Sequence, residues 1–178
     1  DSGAEGITAV FTDAIDNLTG GAGDDTFTGD ANTVSAADAV DGGEGTDTVR
    51  LFGATNATLP EMTNIETLEL NSTADGSDID LSDISVESVV IDSDGGTNAF
   101  TLTSGQAATL SDTIIDNAAT AIEFNFAADD DVTSFALTLD GVTNAGATAE
   151  LEVDGDDLTS LTITTTGDAS DIGDLNTA

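Results

Sequence analysis

Two stretches of the chain have residue types and spacing suited to binding a hard metal ion. Residues 20–28 read GGAGDDTFT and residues 42–50 read GGEGTDTVR, with starts 22 positions apart (42 − 20). Both fit the pattern Gly-Gly-x-Gly-x-Asp-x-hydrophobic-x. Ca²⁺ takes about six to eight oxygen ligands. Glycines let the backbone turn sharply enough to aim main-chain carbonyls at an ion, and Asp25 and Asp47 add carboxylates. The candidate ligands are Gly21, Ala22, Gly23 and Asp25 in the first copy, and Gly43, Glu44, Gly45 and Asp47 in the second. Asp24, Asp30 and Asp41 stand beside them as auxiliary acids. In this reading Phe27 and Val49 are buried in short strands, and one cation sits between the two turns and ties them together. The competing reading is a pair of solvated Gly-Asp turns with no ion, in which converging carboxylates would repel one another. A phosphate-binding glycine loop wants a lysine and a helix N-terminus, and Asp24 and Asp25 would repel the phosphate.

The elements that must hold these turns are short. Period-2 alternation predicts apolar strand faces at Leu68/Leu70, Val89/Ile91, Phe100/Leu102, Ile122/Phe124/Phe126, Phe135/Leu137/Leu139, Leu151/Val153 and Leu161/Ile163. The outward set is largely Thr, Ser and Glu. The segments resemble one another at loosely constant offsets. NIETLEL (64–70) aligns with SVESVVI (85–91) at a shift of 21, and TSFALTL (133–139) with TSLTITT (159–165) at a shift of 26. Leu102 and Phe124 suggest a step of 22. The expected fold is all-β: a short calcium-binding parallel β-roll over residues 1–56, leading into a β-solenoid or β-helix-like stack over 57–178. A β-sandwich is the alternative. ITAVFTDAIDNL (7–18) reads as a short helix or a strand, SAADAV (35–40) as a helical turn at most, and DASDIGDLNTA (168–178) as a further repeat cut short.

Composition narrows the function. The chain of 178 residues holds 36 Asp and Glu against one basic residue, Arg50, for a formal net charge of −35. Internal ion pairs cannot neutralise it, and self-repulsion on this scale opposes any compact state. A mean hydropathy of +0.01 and strongly strand-like runs argue against disorder, which leaves folding with bound cations. Cys, His, Trp and Tyr are absent, which removes disulfides, thiolate metal sites and most catalytic bases and nucleophiles. Paired carboxylates could hydrolyse glycosides, but the aromatic platforms and basic residues such sites normally present are lacking, so the segment is expected to be non-catalytic. Nucleic acid is excluded on electrostatic grounds. No apolar run approaches the ~20 residues of a membrane span. With neither an initiator Met nor a signal-peptide pattern at Asp1, the sequence reads as a segment of something longer.

The nonapeptide pair, followed by MTNIETLELNS (62–72), resembles the secreted RTX proteins of bacteria, and within them the S-layer proteins of Gram-negative bacteria. The resemblance implies export by a type I route, folding in extracellular calcium, and a structural role at the cell surface. It departs from regular family spacing, in which equivalent turns fall eighteen residues apart: TGDANTVSAADAVD (28–41) is an irregular insert, so one or a few ion sites are expected instead of a ladder.

Less specific acidic clusters lie in predicted turns: Asp75, Asp78 and Asp80; Asp92 and Asp94; Asp129, Asp130 and Asp131; and Asp154, Asp156 and Asp157. Each is either a calcium site or a solvated acidic turn. Arg50 reads most simply as a solvated strand residue, or else as a bridge to an acidic neighbouring chain. The expected function is a calcium-dependent extracellular structural protein whose partners are copies of itself, in an array or filament, with cell-surface glycan or lipopolysaccharide as a further possible partner. The alternatives are an adhesin or non-catalytic calcium-stabilised module, or the secretion-competent tail of a larger toxin or hydrolase.

Overall fold

In a computed structural model the chain forms a parallel β-solenoid, described for residues 5–73, 78–92, 98–112, 114–115, 122–127, 131–144, 150–172 and 174–177. One wall is an eight-stranded sheet made of β1 (Thr8–Val10), β3 (Thr26–Asp30), β5 (Thr48–Phe52), β7 (Thr67–Asn71), β9 (Ser88–Asp92), β11 (Ala107–Ser111), β14 (Ser134–Asp140) and β17 (Ser160–Thr166). The strands between them build the other side. A three-stranded sheet holds β2 (Asn17–Gly21), β4 (Ala39–Gly43) and β6 (Glu61–Thr63). A five-stranded sheet holds β8 (Asp78–Asp80), β10 (Asn98–Leu102), β13 (Ile122–Phe126), β16 (Glu150–Asp154) and β18 (Asp174–Thr177). The short strands β12 (Ile114–Ile115) and β15 (Thr143–Asn144) pair with each other. The only helical element among the described residues is one 3₁₀ turn, Asn56–Thr58.

Every strand pairing among the described residues is parallel. This excludes the sandwich, whose hairpin-linked strands run antiparallel, and it makes the repeat physical. Leu68 pairs with Val89 and Leu70 with Ile91, the shift of 21. Phe135 pairs with Leu161, the shift of 26. The step of 22 inferred from Leu102 and Phe124 is corrected: Phe100 pairs with Phe124 and Leu102 with Phe126, a step of 24. Alternation has period 2, so any even shift keeps the apolar face inward, and only backbone pairing distinguishes 22 from 24.

The inward residues form continuous stacks. Phe27, Val49, Leu68 and Val89 lie rung above rung, all fully buried. Phe100, Phe124 and Phe135 fill the wider later coils, with ring centroids 5.9 and 5.4 Å apart in successive pairs. The first stretch left open between helix and strand resolves as β1 followed by buried Phe11. The helical turn expected at 35–40 does not form. Ala36 and Ala37 make a tight turn closed by the Asp38 amide on Ser35 O, with the Ser35 amide donating back to the Asp38 carboxylate, and β4 begins at Ala39. A segment this short cannot repay the cost of nucleating a helix.

Candidate metal centre

The two nonapeptide copies lie on adjacent coils, one over the other. Gly21 pairs with Gly43, and Thr26 with Thr48, so the 22-residue offset is the coil-to-coil step at this place. The turns are held together by main chain: the Glu44 amide donates to Gly21 O and the Thr48 amide to Asp25 O, each at 2.9 Å. Gly43 and Gly45 have φ of +100° and +138°, where side chains are strained, and a Cβ on either would strike the carbonyl of Gly21 or Gly23 in the coil before. The glycines thus let successive turns approach within main-chain contact.

Immediately before β3, β5 and β7 stands an acid that reaches back one coil. Asp25 Oδ1 accepts the Ile7 amide at 2.6 Å. Asp47 Oδ1 accepts the Asp25 amide at 2.7 Å, and Glu66 Oε2 accepts the Asp47 amide at 2.7 Å. These amides sit at the corner where the chain enters the sheet, and the acids supply the acceptors they lack. Asp25 and Asp47 are 1% and 0% exposed. The first is fully served, since its Oδ2 also accepts the Gly21 amide at 2.6 Å. The second is not: Asp47 Oδ2 is buried and has no hydrogen-bond partner. Burial, together with the negative charges of Asp25, Glu66 and Asp24, pushes the Asp47 carboxyl above the ordinary carboxylate range, against the pull of the Asp25 amide.

The donor set fits calcium in kind. It consists of carboxylate and carbonyl oxygens, with one buried carboxylate oxygen lacking a donor. Among the described residues no group of three or more acidic side chains converges as a metal cluster. An ion here would therefore draw on main-chain carbonyls as well as carboxylates. The other expected ligands are more peripheral. Asp24 and Glu44 are exposed, and Asp24 Oδ1 accepts the Thr46 amide at 2.9 Å. Asp41 Oδ1 accepts the Asn64 side-chain amide at 2.8 Å. Ala22 is exposed and Gly23 buried.

Of the secondary acids, Asp30 and Asp80 are turn formers. Asp30 Oδ1 accepts the Asn32 amide at 2.8 Å, and that bond leads those holding its carboxyl below the usual range. Asp80 is held down in the same way, first by the Ser82 hydroxyl and then by the Ser82 amide. Asp78 shares β8 with Asp80, and Asp92 closes β9. Asp131 is exposed. Asp154, Asp156 and Asp157 border a cleft of about 250 Å³ with Phe126 and Val132. Asp75, Asp94, Asp129 and Asp130 lie outside the described residues. Arg50 is not merely a solvated strand residue: it stands in register with Glu69, with Nη2 2.8 Å from Oε2.

Two acids on the opposite corner were missed. Asp38, 1% exposed, accepts the Asp16 amide at 2.8 Å and the Ser35 amide at 2.6 Å. Asp16 in turn accepts the Thr12 amide at 2.6 Å. The signal was present. Extending the 22-residue alignment upstream sets Asp16 over Asp38, four residues before each Gly-Gly.

The fold and the turns define the class as a parallel β-solenoid with a stacked pair of glycine–aspartate turns. No protein-family model matches the chain, and neither a curated protein nor a solved structure shows significant similarity to it.

Proposed function

We propose that the chain is a non-catalytic, calcium-dependent structural module, secreted and displayed at a bacterial cell surface, which self-assembles into an array or filament in the manner of RTX-type S-layer proteins. The observation that carries this reading is Asp47: a fully buried carboxylate with a bare oxygen, between stacked glycine turns, in a chain of net charge −35. Such a group is costly unless a cation or a proton satisfies it. With 36 acids against one arginine, the chain cannot offset its own repulsion by ion pairs, and bound cations would. Self-assembly draws support from the resemblance of the nonapeptide pair and MTNIETLELNS (62–72) to bacterial surface-array proteins.

Electron microscopy of the purified chain, with millimolar Ca²⁺ and with EGTA, tests the reading. Sheets or fibres that form in calcium and dissolve in EGTA are expected. Particles that stay monomeric in calcium would point instead to a calcium-stabilised adhesin module, and an assembly indifferent to EGTA would remove calcium from the account.

A further inference from the structure

We infer that the cation binds between the second and third turns of the solenoid, on Asp47 Oδ2, the main-chain carbonyl of Asn64 and the carboxylate of Glu66, although the third turn, Thr63–Glu66, carries no Gly-Gly-x-Gly-x-Asp pattern. This inference rests on the calcium reading above, and it places the ion elsewhere than the motif pair alone suggests, which is between the first turn and the second.

The geometry separates the two places. Around the first turn, a Cβ on Gly20 would meet Asp25 Oδ2 and Gly42 O. One coil on, a Cβ on Gly42 would meet Asp47 Oδ2 and Asn64 O. In both, the aspartate Oδ2 and a carbonyl of the next coil lie over the first glycine at a shift of 22, but the aspartates differ in their partners. Asp25 Oδ2 is closed by the Gly21 amide, while Asp47 Oδ2 has no partner. The first turn is complete with its own hydrogen bonds, and the second is left open.

What fills the opening is set by its surroundings. Asn64 adopts φ +50°, a left-handed turn that Asn tolerates better than most residues, and its carbonyl lies against the same spot above Gly42 as Asp47 Oδ2. Glu66 adds a second carboxylate, fixed by its bond from the Asp47 amide. Two carboxylates and a carbonyl come together here with no basic side chain among their recorded partners, so a cation is favoured over a neutral occupant. Oxygen-only ligands with a main-chain carbonyl suit Ca²⁺ better than Mg²⁺, which demands near-octahedral geometry and holds its waters.

Calorimetric titration of the full chain with CaCl₂, after removal of metal, distinguishes the sites, with circular dichroism checking the fold of each variant. Asp47→Asn is expected to weaken the tightest site by about tenfold or more, Glu66→Gln severalfold, and Asp25→Asn by less than about threefold. If Asp47→Asn does not fold, Glu66→Gln decides, because Gln keeps the size and an acceptor for the Asp47 amide. Asp25→Asn losing as much affinity as Asp47→Asn, or Glu66→Gln binding as the parent does, would overturn the inference and leave the calcium reading standing. A parent chain that takes up no calcium at millimolar concentration would overturn both.

Discussion

The buried acids of this solenoid do two different jobs, and pH tells them apart. Asp38 stitches its corner through the amides of Asp16 and Ser35 and the Ser35 hydroxyl. Burial works against its charge, but those bonds outweigh burial and hold its carboxyl below the ordinary value. A lowered folded-state value means that the stability it contributes is present above the unfolded value of about 3.9 and is lost as pH falls through the folded one. Asp38→Asn should therefore cost roughly 1.5–3 kcal/mol at neutral pH, the worth of charge-assisted hydrogen bonds. The difference from the parent should shrink towards zero in denaturant titrations carried down through the acid range. A constant difference across that range would show that the charge of Asp38 is not what matters. At Gly42, substitution by Ala places a Cβ against Asn64 O and Asp47 Oδ2. Overpacking of about 1–3 kcal/mol is expected, together with weakened calcium binding. Asp25 and Asp47 were legible in the sequence because the nonapeptide repeats them at one offset. Asp38 was legible only by extending that offset upstream, where it aligns with Asp16; Glu66 was not, because an acid that caps a backbone amide one coil away in a turn without the Gly-Gly motif leaves no local pattern beyond its own position before a strand.

At the scale of elements, the strands were legible and their neighbours partly so. Alternation marks which residues face inward, and the structure buries Leu68, Leu70, Val89 and Ile91 completely. Coil lengths were legible only where side-chain types repeat along with polarity, as in the shifts of 21 and 26. Corner lengths vary without a sequence signal: the step along the long sheet is 18 from Thr8 to Thr26, 22 from Thr26 to Thr48 and 29 from Ala108 to Leu137. In a stack where each coil touches only its neighbours, a cavity is felt according to how many coils surround it. Leu68→Ala, with pairing strands on both sides, should cost about 2–5 kcal/mol. Leu161→Ala, half-buried in the edge strand β17, should cost clearly less in the same thermal or denaturant unfolding measurement. Equal losses would contradict a layered core.

For the whole molecule, the dominant fact is 36 acids against one arginine, and that arginine is already paired with Glu69. Folding brings acids of adjacent coils together, as with Glu123 beside Glu152, so self-repulsion opposes the compact state and bound cations would relieve it. Screening by monovalent salt relieves only the exposed part of this repulsion, whereas a calcium ion bound as proposed would also satisfy the buried oxygen of Asp47. On the proposed reading, calcium binding and closure of the solenoid are one event. Far-UV circular dichroism of the metal-free chain, followed through a calcium titration at constant ionic strength, tests it most directly. A weak β-sheet signal in EGTA that rises cooperatively to a plateau with Ca²⁺, and does not rise with an equivalent ionic strength of NaCl, is the predicted result. A full β-sheet spectrum in EGTA, unchanged by calcium, would contradict it.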